Sequence, residues 1–150
     1  MSTLNLGAGN RIISGEVVVN HDLTKHRPEI TIAHDLNILP WPWADTSFDE
    51  IQLISVAEHL AITLVQTLDE CWRILKPKGR LIIKYPLWTT PTAHDDPTHR
   101  WWWSERVLEV FDPDKKYGQD HPYYTQRKWK ICDLGVIKSR NVKAVLEVRK

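Results

Sequence analysis

A chain of 150 residues, 42% of them hydrophobic, can bury one core and not two, so its chemistry must fit a single domain spanning residues 1–150. Twenty Lys and Arg against nineteen Asp and Glu leave a formal charge of +1, which removes the electrostatic case for indiscriminate binding to nucleic acid or to an anionic membrane. Cys71 and Cys132 form neither a CxxC pair nor a disulfide framework, and the opening MSTLNLGAGNRI has no basic stretch followed by an apolar one, so the expectation is a soluble, cytoplasmic protein with no membrane span and no metal site.

The chain begins with a short apolar run, Leu4-Asn5-Leu6, that breaks into Gly7-Ala8-Gly9-Asn10. A buried strand delivering a Gly-x-Gly turn is a way to bring a nucleotide-like ligand against bare backbone N–H groups, because glycine tolerates positive φ and has no Cβ. A side chain at Gly7 is expected to meet the ligand. Glu16 to Asn20 and Ile30 to Ala33 are short β-branched runs, each followed by a His-Asp pair, His21-Asp22 and His34-Asp35. The interval from Gly9 to Glu16 is too short for an ordinary crossover helix, so the first helix is one turn long or missing. Leu39-Pro40-Trp41-Pro42-Trp43 is a loop, since its prolines exclude helix and sheet interior, and Asp49 to Ser55 forms a fourth, central strand.

Between about Ala61 and Leu75, apolar residues recur at three and four, which predicts an amphipathic helix stopped by Pro77 and Gly79. Arg80 to Tyr85 follows as a fifth strand. Trp101 to Phe111 reads as a second helix, and Trp129–Ile137 with Val142–Val148 as a closing antiparallel hairpin. The fold class is therefore α/β: a Rossmann-like, mostly parallel open sheet with a shortened first helix and a C-terminal antiparallel hairpin. In such sheets ligands sit outside the carboxyl ends of the strands, where Gly7, Asp22, Asp35 and Ser55 would line one edge. Asp22 is placed to accept hydrogen bonds from vicinal ribose hydroxyls, or else caps a turn.

Four ordered segments carry a resemblance: Leu4 to Asn10, Val19 to Leu23, Leu39 to Ile51 running into Glu58-His59-Leu60, and Glu70 to Leu81. Together they resemble the class I S-adenosylmethionine-dependent methyltransferases, and within them the small type 11-like proteins. The resemblance implies S-adenosylmethionine as cofactor, held by Asn5, Gly7, Ala8, Gly9, Asp22, Asp35, Leu36 and Ser55, with Asp35 near the adenine amino group. It also implies methyl transfer to an unidentified small-molecule acceptor. Asn5 and Arg11 stand where the family often has an acid and a third glycine; Asn5 can accept a hydrogen bond but cannot pair with an ammonium, and Arg11 is expected to narrow the loop. Two rival functions remain: a non-catalytic S-adenosylmethionine-binding partner or sensor subunit, and a NAD-dependent oxidoreductase, whose fingerprint wants glycine where Ile12 stands.

The candidate catalytic bases are His59, His94 and His99, because imidazoles titrate near neutrality. His94 and His99 lie in Ala93-His94-Asp95-Asp96-Pro97-Thr98-His99-Arg100, after the fifth strand, where the family places acceptor-binding residues. They are alternatively solvated loop residues, or ligands with Asp95 or Asp96, although two histidines five apart are weak evidence for metal. Trp101-Trp102-Trp103 cannot all face one core, so with Trp88 and Tyr123-Tyr124 they suggest either an aromatic acceptor pocket or a core edge. The basic residues of the last hairpin read as a solvated face, or as a surface for an anionic acceptor or nucleic acid.

Overall fold

In the computed structural model, which describes residues 1–150, seven strands follow in chain order: β1 (Thr3–Leu6), β2 (Val18–Asp22), β3 (Ile30–Ala33), β4 (Phe48–Ile54), β5 (Leu75–Pro86), β6 (Lys128–Ile137) and β7 (Asn141–Arg149). They make one sheet in the order β3-β2-β1-β4-β5-β7-β6. The first five strands are parallel; β7 runs antiparallel to β5 and β6 antiparallel to β7. The open parallel sheet, the closing hairpin and the absence of a helix between β1 and β2 agree with the sequence reading.

Register explains where the core lies. Leu4, Ile51, Leu81 and Leu146 stand side by side across four strands, and Leu6, Leu53, Ile83 and Ala144 form the next row on the same face. All eight are fully buried. Each large member contributes about 1.5–3 kcal/mol of gross burial free energy. Helix α1 (Leu64–Ile74) covers these rows with Leu64, Leu68, Cys71 and Ile74. Its start is set by a capping box, in which Thr63 accepts from the Gln66 N–H and Gln66 accepts from that of Thr63. It ends before the expected stop signals: Leu75 turns extended and begins β5, so Pro77 and Gly79 lie in the strand's irregular entry.

The opposite face is polar over β1 and β4, where Asn5 and Gln52 stand in a row that continues into Ile82 and Val145, and charged in the next row, Glu50, Arg80 and Glu147. No helix covers it. Instead the Asn20 amide accepts from the Ile13 N–H (3.1 Å) and donates to the Ile13 carbonyl (2.9 Å), imitating a strand partner for the short β1–β2 connection. Arg11 bridges Asn5 Oδ1 (2.9 Å) and Gln52 Oε1 (2.8 Å). The Asn5–Arg11 departure thus works as a pair that pins a helix-free crossover. Arg11 lies over the polar face rather than narrowing the glycine loop.

The proline-tryptophan segment is a loop, as expected, and it plugs the core. Trp41 and Trp43 are buried, and Arg73 fastens them by donating to the carbonyls of both and to Glu70 and Asp45. The expected helix from Trp101 to Phe111 is not formed. Trp101 to Trp103 are extended, with Trp103 bridging to Leu87, and only Val107–Phe111 turns into a short 3₁₀ helix. Extended backbone sends successive rings to opposite sides: Trp101 stacks on Trp103, while Trp102 stacks on His94. Short helices α2 (Pro91–His94) and α3 (Lys116–Asp120) complete the β5–β6 connection. No helix is long and apolar enough to cross a membrane.

Candidate functional site

The carboxyl ends of β1, β2 and β3 open on a cavity of about 220 Å³ whose walls include Gly7, Asp22, Asp35, Leu36 and His59. Five residues proposed from sequence therefore converge, although they come from four different segments. Gly7 and Gly9 both have positive φ, +58° and +51°. Their side-chain space differs. A Cβ at Gly7 would meet Val56 Cγ2 at 2.5 Å, so glycine there serves the fold as well as any ligand: a side chain expected to meet the ligand meets Val56 first. At Gly9 a Cβ would meet nothing within 4 Å.

Asp22 closes the glycine loop. Its Oδ2 accepts from the Gly9 N–H and its Oδ1 from the Leu23 N–H, each at 2.7 Å, which leaves further lone pairs on both oxygens. Asp35 uses Oδ1 to accept from the Asn37 backbone and side-chain amides. Leu36 is buried, and its carbonyl takes the Trp41 indole N–H at 2.9 Å. Ala8 is also buried and donates its N–H to the His21 carbonyl. Asn5 is fully buried, with its amide committed to Asn20 and Arg11 on the polar face of the sheet; the structure gives it a scaffolding position behind the glycine loop.

One participant was missed from sequence. His21, 1% exposed, accepts the Gly7 N–H on Nδ1 (3.3 Å) and lies 2.9 Å by Nε2 from the His34 carbonyl. A carbonyl can only accept, so the proton sits on Nε2. Burial holds the imidazole below its ordinary pKa of 6.5, in keeping with this neutral form. Its only sequence signal is the repeated His-Asp pair at two strand ends.

A second, larger cavity of about 620 Å³ adjoins the first through His59 and carries no hydrophobic residue in its wall. Ser55 lines it at the end of β4, with Glu58 and His99. Ala57–His59 is a 3₁₀ turn, and the loop bearing His99 is fastened to it by the Arg100 N–H donating to the Glu58 carbonyl at 2.8 Å. The imidazoles of His59 and His99 meet edge to face at 4.6 Å. Glu58 is 1% exposed, its Oε2 has no hydrogen-bond partner, and burial pushes its carboxyl up to about 7. Burial, and then the neighbouring His99, lower the pKa of His59.

His94 is corrected in place. It is exposed, stacked on Trp102 and bonded by Nε2 to the Trp88 carbonyl, and it lines neither cavity. The aromatic wall also lies elsewhere: Trp88, Trp102, Trp103 and Tyr124 line a cavity of about 500 Å³ that shares no lining residue with the other two. In the C-terminal hairpin several cations are tied inward, Arg127 to the Asp69 carbonyl and Arg149 to Asp112 and Asp114. The free cysteines are one buried, Cys71, and one exposed, Cys132.

Residues 13–83, just under half of the chain, match the methyltransferase domain family. Among solved structures, a SAM-dependent methyltransferase from Aquifex aeolicus is 14% identical, aligned over 99% of this chain and 82% of its own with a TM-score of 0.69. One from Archaeoglobus fulgidus is 13% identical over 97% and 85%, with a TM-score of 0.63. The [4+2]-cyclase SpnF, 10% identical over 97% and 74%, reaches 0.65, so the fold does not by itself select the reaction. No curated protein gives a significant match.

Proposed function

We propose that this chain, which has the fold of the S-adenosylmethionine-dependent methyltransferases and whose residues 13–83 match the methyltransferase domain family, takes S-adenosylmethionine as its cofactor and methylates a small molecule through an oxygen or nitrogen. One observation carries the reading: Gly7, Asp22, Asp35 and Leu36 wall one cavity at the carboxyl ends of parallel strands, and a polar cavity adjoins it at His59. The residues suit the cofactor. The open lone pairs of Asp22 would take the ribose hydroxyls, Asp35 Oδ2 the adenine amino group, and Leu36 the flat of the base, while open space beyond Gly9 leaves its backbone approachable. Bound there, the cofactor supplies a sulfonium methyl for in-line displacement.

The acceptor side is assigned to the polar cavity, with His59 and His99 as the groups that touch the acceptor's nucleophile. Positioning at contact distance provides most of the rate effect, and an imidazole takes a proton only from an acceptor not already ionised. Ser55, exposed at the end of β4, is placed beside them. The aromatic cavity has no shared wall with this site, so an aromatic acceptor is not required. We place the protein in the cytoplasm. A second reading, a cofactor-binding partner or sensor subunit without turnover, is favoured by the uncovered polar face of the sheet.

Methyl-labelled S-adenosylmethionine incubated with a panel of hydroxylated and amine small molecules tests the choice. Label transferred to an acceptor, and lost in His99→Ala, supports the enzyme. Tight cofactor binding with no transfer to any acceptor supports the partner subunit instead.

A further inference from the structure

We propose that Glu58, His59 and His99 bind a divalent transition-metal ion, zinc foremost, in the polar cavity beside the cofactor cleft. The ligand atoms of these three residues lie within 4.8 Å of one another. Around a tetrahedral zinc, with bonds of roughly 2.0–2.1 Å, ligand atoms stand about 3.4 Å apart, so side-chain closure alone brings the trio to bonding distance.

Hydrogen bonding prepares both imidazoles as ligands. His99 Nδ1 lies 2.8 Å from the Ala93 carbonyl, which can only accept, so Nδ1 carries the proton and Nε2 presents a lone pair. For His59 the partner of Nδ1 is Thr98 Oγ1, at 2.9 Å. That hydroxyl gives its single proton to Asp96 Oδ1 at 2.7 Å, so it must accept from His59 Nδ1. Both rings are therefore fixed in the same tautomer, with Nε2 unprotonated. Imidazoles that ligate metals are typically oriented in this way, by a carbonyl or a carboxylate-linked group on the far nitrogen.

The third ligand is the independent sign. Glu58 Oε2 is buried without any partner, a costly state for a carboxylate that an ion at this point would relieve. The clamp from the Arg100 N–H to the Glu58 carbonyl holds the two halves of the trio together across forty residues of chain. Two imidazoles and one carboxylate are a donor set for zinc and its transition-metal neighbours; magnesium and calcium prefer oxygen alone. The cavity leaves one side open. With the ion bound, both imidazoles would serve as ligands in place of proton acceptors, and an acceptor hydroxyl at the open side would lose its proton to water more readily and present an oxyanion to the methyl group. That role rests on the methyltransferase reading, whereas the metal site does not.

Calorimetric titration of the metal-stripped protein with zinc chloride, in a Cys132→Ser background that removes the exposed thiol, tests the site. The expected result is one ion per chain, with affinity falling by more than about a hundredfold in Glu58→Gln and in His99→Ala, since even outer-sphere changes cost 10–100-fold. His94→Ala should bind as the parent does, and magnesium chloride should give no stoichiometric binding. Cobalt(II) should add the visible absorption of a tetrahedral nitrogen-oxygen site, and zinc should shift the imidazole ¹⁵N resonances of His59 and His99. Absence of stoichiometric zinc binding, or equal binding by the parent and His99→Ala, overturns the proposal. S-adenosylhomocysteine titrated in parallel separates the two readings: zinc bound without it removes the cofactor assignment alone, and the converse removes the metal site alone.

Discussion

Replacing His21 should expose how the glycine loop is held. In His21→Ala the Gly7 N–H loses its acceptor and the His34 carbonyl its donor, and the ring's edge-to-face contact with Trp43, 5.2 Å between centroids, disappears. Two orphaned, partly accessible backbone groups at about 1 kcal/mol each, with a further 1–2 kcal/mol for lost burial, give a destabilisation of about 3–4 kcal/mol. His21→Asn keeps an acceptor near Gly7 but cannot reach His34, so about half of the loss should return. The pH dependence has a definite sign. His21 is held below its ordinary value of 6.5 by burial, so the unfolded chain takes up the proton first. Its contribution is complete above about pH 6.5 and is lost as the pH falls through and below that value. Urea unfolding of wild type and both variants across pH 5–8, with S-adenosylhomocysteine affinity measured alongside, reads both effects. The difference between wild type and His21→Ala should shrink toward acid. A constant difference, or a variant within about 0.5 kcal/mol of wild type with unchanged affinity, refutes the reasoning.

Removing the Arg73 guanidinium in Arg73→Ala should cost about 3–5 kcal/mol in chemical denaturation, because Glu70 stays buried without its partner and two tryptophan carbonyls lose a donor. Lys78 sits at φ +63°, so Lys78→Gly should stabilise the chain by about 0.5–1 kcal/mol in the same assay, and a destabilised variant would place the strain elsewhere. Gly7→Val should unfold the domain rather than only empty its cleft, since the new side chain meets Val56. Circular dichroism would distinguish this from a folded protein that merely fails to bind.

The sheet was legible in sequence because its strands are short, β-branched and punctuated by polar residues at their carboxyl ends, the rule that also singled out Asp22 and Asp35 as candidates. Helix α1 was legible through its apolar spacing, but its ends followed the Thr63 capping box and the extended Leu75 rather than Pro77 and Gly79. Trp101 to Trp103 defeated the reading because an apolar run has no period of its own, and pairing of Trp103 with Leu87 decided its conformation. The trio of Glu58, His59 and His99 depends on long-range bonds between the 57–60 turn and the 98–101 loop, from the Arg100 N–H to the Glu58 carbonyl, between His59 and Thr98, and from the Trp101 indole to the Leu60 carbonyl, which no local pattern announces. Arg11 read as an obstacle beside the glycine loop because sequence spacing does not tell which face of the sheet a side chain crosses.

The cleft walled by Gly7, Asp22, Asp35 and Leu36 is the centre of this account, and isothermal titration with S-adenosylhomocysteine, with NAD as comparison, tests it most directly. The account predicts one S-adenosylhomocysteine per chain and no measurable NAD binding. It also predicts a loss of about 1.5–3 kcal/mol, roughly ten- to a hundred-and-fifty-fold in affinity, in Asp22→Ala. NAD bound in preference, or S-adenosylhomocysteine bound equally well by Asp22→Ala, would contradict it.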